Sequence, residues 1–207
     1  MTNGVARSWP LVGAAACATL FATLAAFVEA GAMQGVDVEL RRRRPRVTHG
    51  PLWMGAMAVT ALGYPIVQVP CAAALSLGLR RARVPQAADV FAAACIVFVA
   101  DETVKRLVHR RRPPGHQSNK TNQSFPSGHT ASTAAITLTT AIVLSRARLV
   151  SPCKALVAAA AATSAMAESR LVLDEHWTSD VLAGSALGTA TALLVTRSIR
   201  SRQRYHA

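Results

Sequence analysis

Three short polar segments carry side chains that could do chemistry together. The stretch SRLVLDEHWTSD at 169–180 places His176 and Asp180 four residues apart, on one helix face. A carboxylate there can hold one imidazole nitrogen and leave the other free to attack. Arg170, earlier in the same stretch, adds a planar fork suited to phosphate oxygens. Taken alone, the segment equally reads as a polar loop followed by a helical His–Asp pair.

The stretch SFPSGHTAS at 124–132 sits where a polar run meets an apolar one. Ser127 is placed to cap a helix whose first N–H groups would face the preceding loop, and such a helix start binds anions. Gly128 lets an oxyanion approach the backbone closely. His129 can move a proton near neutral pH. The plainer reading is a serine cap followed by an interfacial histidine. In KRLVHRRRP at 105–113, Lys105 and Arg112 fall two turns apart on one face if a helix continues through them. Two cations there suit a phosphate, although a basic membrane flank explains the same residues. Phosphoryl transfer needs cations on the equatorial oxygens, an in-line nucleophile and a proton donor for the leaving group. The three segments supply all of these, each at the end of an apolar run.

Those runs must position the segments. The chain has 207 residues, of which 51% are hydrophobic, and its mean hydropathy is +0.28. Leu11–Val28, Pro51–Leu79, Thr130–Ser145 and Val181–Thr196 are the clearest apolar runs, and a bilayer core needs about 20 helical residues to cross. Ala87–Val104 is interrupted by acids at its ends, and Ala155–Ala167 is mostly alanine, which drives insertion poorly. Hydropathy alone gives four to six spans. For His129 and His176 to meet, the chain must cross the membrane an even number of times between them, so the alanine-rich run must cross back. The expectation is an all-α bundle of six transmembrane helices, one domain over 1–207, with spans near 9–30, 52–79, 86–105, 127–145, 153–169 and 180–197. The polar loops 105–127 and 169–180 carry the chemistry. Long runs without alternation exclude barrel strands. The first run is long for a signal peptide, so a retained helix is favoured over a cleaved one.

The formal net charge is +13. A soluble protein with that charge would point to nucleic acid. Here the arginines cluster between apolar runs, as in membrane loops, and no nucleic-acid partner is expected. With the N-terminus inside, Arg80–Arg83, Arg146–Lys154 and the tail Arg197–Arg204 all fall on the cytoplasmic face. Arg41–Arg44 with Arg46, and Lys105 to Lys120, oppose that rule. The first of these is expected along an interfacial helix in Val36–Thr48, touching anionic headgroups. Pro65 and Pro70 should kink the second span. Gly184 and Gly188 form a GxxxG that permits close helix packing without requiring dimerisation. Cys17, Cys71, Cys95 and Cys153 lack metal-ligand spacing and read as packing residues.

Lys105-x6-Arg112-Pro113, Pro126-Ser127-Gly128-His129 and Ser169-Arg170-x5-His176-x3-Asp180, in that order, resemble the signature of the type 2 phosphatidic acid phosphatase (PAP2) superfamily. The resemblance implies that His176 is the nucleophile of a phosphohistidine mechanism and that Asp180 orients it. It makes His129 the acid for the leaving alkoxide and the base for water. Lys105, Arg112, Ser127, Gly128 and Arg170 would hold the phosphate, with no metal or other cofactor. It also implies a lipid phosphate as substrate within surrounding membrane lipids: phosphatidic acid, phosphatidylglycerol phosphate or a polyprenyl (pyro)phosphate. The site would face outward from the plasma membrane, with both termini cytoplasmic. Asp174 departs from the family's pattern, where a small residue is commoner, and with Glu175 it puts negative charge beside the nucleophile. Alternatives are a lipid phosphotransferase using the same histidine, a haloperoxidase-like anion site, a catalytically silent membrane scaffold, and a transporter.

Overall fold

The computed structural model describes residues 5–114 and 123–202, so Lys120 and the end of the arginine tail fall outside the described residues. It is all-helical there: α1 (Val5–Glu29), α2 (Gln34–Arg42), α3 (Pro51–Ala61), α4 (Pro65–Arg81), α5 (Ala88–Leu107), α6 (Gly128–Arg146), α7 (Pro152–Val172) and α8 (Thr178–Arg202). Prolines open α3, α4 and α7, where their missing N–H and fixed φ are harmless. Ser151 caps α7 by accepting from Lys154 N at 3.3 Å.

The packing identifies the solvent. Buried apolar positions are mostly small: Ala93, Ala94, Ala131, Ala134, Ala135, Ala183 and Ala192. Large apolar side chains such as Leu20, Phe27, Ile96, Phe98, Val99, Leu156, Val157, Leu182 and Leu194 point outward. In lipid that pattern is favourable, because close helix approach rather than burial of large side chains drives association. The GxxxG works within the chain. A Cβ on Gly184 would stand 2.5 Å from Ser127 O, and one on Gly188 2.2 Å from Ala131 O, so α8 lies directly on the α6 backbone. α8 also packs along α1, where Leu24 joins Val108, Phe125 and Ala183, and α4 packs on α5.

Among the described residues α1, α7 and α8 are each long and apolar enough to cross a membrane, and α3 with α4 are so together, as a broken span or a re-entrant loop. α5 carries several charges and α6 many hydroxyls, and both are held within the bundle by α8. α7, the run with the weakest sequence signal, is one continuous helix that returns along α6. The second apolar run is bent at Pro65, as its prolines predict, but not at Pro70. It bends by 56° between Ala61 and Pro65, while Pro70 lies inside the continuous α4. Pro65 disfavours helix at the residue before it, and Tyr64 is extended (φ −69°, ψ 137°). α2 is shorter than the interfacial segment read from the sequence. Cys71 and Cys153 are exposed rather than packed.

Candidate active site

The C-terminal ends of α5 and α7 meet the N-terminal ends of α6 and α8, and one cavity there is lined by Lys105, Arg112, Gly128, His129, Arg170 and His176. It continues between α4, α5 and α6 along Val69, Val97, Phe98 and Ile136. Ser127 and Asp180 adjoin this group but do not line the cavity.

His176 lies in the turn between α7 and α8 and is 4% exposed. Its Nδ1 is 2.8 Å from the Ser124 carbonyl oxygen, which fixes the proton on Nδ1 and leaves a lone pair on Nε2. Nε2 stands 3.3 Å from Arg112 Nη1. Asp180 Oδ2 is 3.5 Å from Nδ1, beyond a good hydrogen bond, and accepts instead from Trp177 N at 2.9 Å. The imidazole is therefore oriented first by a carbonyl and only then by the carboxylate. Burial depresses the His176 pKa well below its ordinary value, and the charges of Arg112, Arg170, Lys105 and His129 depress it further.

Carboxylates of the protein itself hold the three cationic phosphate-binding candidates. Arg112 Nη1 donates to the Glu175 carbonyl at 2.6 Å and lies 3.3 Å from Glu175 Oε2. Arg170 Nη2 is 3.6 Å from the same Oε2, and its Nη1 donates to Thr60 Oγ1 at 2.7 Å. Lys105 pairs with Asp101. Burial lowers the Arg112 pKa, and the charges of Glu175, Asp180 and Asp101 oppose that shift. Arg170 is 3% exposed, yet among the described residues its Nε has no hydrogen-bond partner, so the cradle retains unused donor capacity for an anion.

The α6 start differs in detail from the sequence reading. Ser127 occupies the N-cap, but its hydroxyl pairs with Thr130 Oγ1 at 3.0 Å and makes no capping bond, while its N–H donates to Asp180 O at 3.0 Å. A Cβ on Gly128 would lie 2.4 Å from Asp101 Oδ2 and 3.0 Å from Lys105 Nζ, so the space above this glycine belongs to that ion pair. His129 opens into the cavity. Its ring meets Tyr64 edge-on at 5.0 Å, and Gly63, in the α3–α4 bend, leaves room for it.

Several members of the site were not read from the sequence: Thr60, Tyr64, Asp101, Arg110, Ser124 and Asp37. Ser124 acts through its carbonyl, which carries no side-chain signal. Arg110 is hidden in a run of arginines. The arginine cluster that begins in the last turn of α2 also acquires a partner, since Arg41 pairs with both oxygens of Asp174 and lies 6.0 Å from the Trp177 ring centre. Among the described residues, no three His, Cys, Asp or Glu are grouped to hold a metal ion.

Comparison with known proteins finds that the family model described as the PAP2 superfamily matches residues 86–204. No curated protein matches. Among solved structures, the first transmembrane PAP2 type phosphatidylglycerolphosphate phosphatase from Bacillus subtilis superposes with a TM-score of 0.83 at 21% identity. The match covers 93% of this chain and 98% of that one, so it extends beyond residues 86–204 into the region of α1–α4, all of which precede the family match. At this identity the likeness concerns the fold.

Proposed function

The chain belongs to the PAP2 superfamily, and on that footing we propose that it is a membrane-embedded phosphatase that hydrolyses the phosphomonoester or pyrophosphate of a lipid. The observation that carries the reading is the setting of His176. Nδ1 is committed to Ser124 O, and Nε2 faces a cavity that also holds Arg112, Arg170, Lys105 and His129.

In the proposed reaction the lone pair on His176 Nε2 attacks phosphorus in line with the ester oxygen. The P–O bond breaks, and His129 gives its proton to the leaving alkoxide. Arg112, Arg170 and Lys105 take the three equatorial oxygens, displacing the carboxylates that now pair with them. The phosphorylated imidazole keeps Nδ1–H on Ser124 O, with Asp180 nearby to offset its positive charge. His129, now a base, takes a proton from water whose oxygen attacks phosphorus. The P–N bond breaks and inorganic phosphate leaves. The apolar continuation past Val69, Phe98 and Ile136 suits an acyl or prenyl chain. The protein's own groups account for every proton in this sequence, so we propose that no metal takes part.

The site is proposed to face outward. Arg146, at the far end of α6, donates to Gln86 Oε1 and Thr196 O, which gathers the basic α4–α5 and α6–α7 turns and the end of α8 opposite the cavity. That end is assigned to the cytoplasm, with both termini. In a background without native cysteines, His109→Cys should react with an impermeant thiol reagent on intact cells and Leu149→Cys should not. The reverse pattern would invert the orientation.

The deciding experiment measures phosphate release in EDTA from phosphatidic acid, phosphatidylglycerol phosphate and undecaprenyl pyrophosphate, by wild type and His176→Ala. Hydrolysis of at least one lipid by wild type alone is the expected result. Full activity in the variant would remove His176 as nucleophile, and loss of wild-type activity in EDTA would remove the metal-free reading.

A further inference from the structure

Behind His176 lies a buried cluster around Asp180 whose other members, Arg110, Asp37 and Ser179, have no part in the proposed reaction. Arg110 sits between two carboxylates. Its Nη1 donates to Asp180 Oδ1 at 2.6 Å, and its Nη2 donates to Asp37 Oδ2. Nη1 also reaches Ser179 Oγ at 2.6 Å, and the Ser179 hydroxyl donates in turn to Asp37 Oδ2. Ser179 N donates to Asp37 Oδ1 at 3.0 Å. Asp37 is 1% exposed and Arg110 8%, while Ser179 and Asp180 are fully buried.

Asp37 comes from α2, a helix outside the residues that the family model matches. One turn further on, Arg41 pairs with Asp174 on the other flank of the turn that carries His176, and both Arg41 and Arg110 lie over the Trp177 ring. α2 therefore turns charge inward and leaves Val36, Val38 and Leu40 exposed. Such a helix suits the boundary between headgroups and acyl chains.

We infer that Asp37 and Arg110 are positioning residues for the phosphoryl transfer proposed above, and that α2 is the strap that carries Asp37 to the catalytic turn. Arg110 fixes Oδ1 of Asp180, which sets the rotation of that carboxylate and leaves Oδ2 turned toward His176 Nδ1. A guanidinium suits this because its rigid planar fork fixes the direction of both carboxylates, which the rotatable donors of an ammonium do not. Asp37 holds the other arm of the guanidinium, so that Arg110 keeps Asp180 beside the imidazole as that ring becomes cationic on phosphorylation. Without Asp37, Arg110 would lose that anchor, and the carboxylate of Asp180 its fixed rotation.

The inference rests on the proposed function, and the test separates the two. Asp37→Asn, Arg110→Lys and a control, Glu39→Gln on the outward face of α2, are compared with wild type and His176→Ala in the full-length protein. The readouts are kcat, KM, Tm and the binding of orthovanadate and of inorganic phosphate. Vanadate bonds to the imidazole nitrogen and reports its orientation, whereas phosphate reports only the cradle. Asp37→Asn should lower kcat by about 10- to 100-fold, by analogy with the loss when a partner that orients a metal-bound histidine is removed. It should weaken vanadate and leave KM and phosphate affinity unchanged. Arg110→Lys should behave alike and Glu39→Gln as wild type. If Asp37→Asn does not fold, Ser179→Ala, which keeps both charges, should show a smaller kcat loss of the same kind. Wild-type kcat and vanadate affinity in Asp37→Asn, a loss confined to KM, or a loss explained by a lowered Tm would overturn the inference while the function stands. If wild type binds vanadate but hydrolyses none of the lipids, the vanadate comparison alone decides. If it neither binds vanadate nor hydrolyses, both fall together.

Discussion

Glu175 lies between Arg112 and Arg170, with one carboxylate oxygen, Oε2, at 3.3 Å from the first guanidinium and 3.6 Å from the second. That oxygen stands where a phosphate oxygen would bridge the same two forks. Glu175 is 5% exposed, so its charge is poorly screened. Under the proposed function, phosphate would have to separate these ion pairs, and the carboxylate would oppose each incoming anion. Glu175→Gln keeps the shape and removes the charge. Inorganic phosphate should then inhibit about three- to tenfold more strongly, a difference of roughly 0.7–1.4 kcal/mol. Product inhibition measured for both proteins checks this, and weaker inhibition of the variant would mean that Glu175 organises the cradle instead of competing for it.

Protonation of His176 links this site to stability. In an unfolded chain its imidazole titrates near 6.5, whereas in the folded protein burial and the surrounding cations hold the pKa well below that. As pH falls through 6.5, the unfolded chain gains a proton that the folded one refuses. Stability therefore drops with falling pH, at up to about 1.4 kcal/mol per unit, until the folded pKa is reached. His176→Asn lacks this linkage and should show a shallower loss of unfolding free energy between about pH 6.5 and 5. Parallel slopes would show that His176 takes up its proton in the folded state too.

The glycines of α6 and α8 separate chemistry from packing. A Cβ at position 128 meets the Asp101–Lys105 pair, which is side chain, and one at 188 meets the Ala131 backbone, which cannot yield without moving a helix. Gly128→Ala should displace Lys105 from the cradle and raise KM by tenfold or so, because a charge-assisted contact to phosphate is worth about 1.5–3 kcal/mol. Gly188→Ala should instead cost about 1–3 kcal/mol of stability. Thermal unfolding and kinetics of both variants test the division, and the opposite assignment of effects would contradict the close contact of Gly188 with the α6 backbone.

The three motifs were legible because cations and histidines gather at the ends of apolar runs, and the fold brings Lys105, Arg112, Gly128, His129, Arg170 and His176 around one cavity. The all-helical class was legible from uninterrupted apolar runs. α7 looked weak because alanine contributes little hydropathy, although the same small side chain lets the helix pack along α6. Arg41 with Asp174 and Asp37 with Arg110 were not legible, since each pair joins residues far apart in sequence and neither partner has a local pattern. The α3–α4 bend was placed at the prolines, whereas the restraint of Pro65 falls on Tyr64 before it and turns that residue toward His129.

Tyr64 gives the last prediction. Its ring meets His129 at 5.0 Å and 74°, and Gly63 beside it leaves no room for a larger residue against that imidazole. If His129 is the acid for the leaving group, the ring must be held so that its proton reaches the ester oxygen. An alkoxide needs that proton and p-nitrophenolate hardly does. His129→Ala should therefore lose about 10²- to 10⁴-fold on a lipid phosphate, the range for general acid catalysis, and far less of the phosphorylation rate on p-nitrophenyl phosphate. Tyr64→Ala should shift the ratio of the two rates in the same direction by a smaller factor, because it loosens the imidazole without removing it. Phosphorylation is read for each substrate by rapid quench, so that the water step, which also uses His129, does not mask the difference. Equal losses on both substrates would assign His129 and Tyr64 to binding and leave the leaving group's proton to another donor.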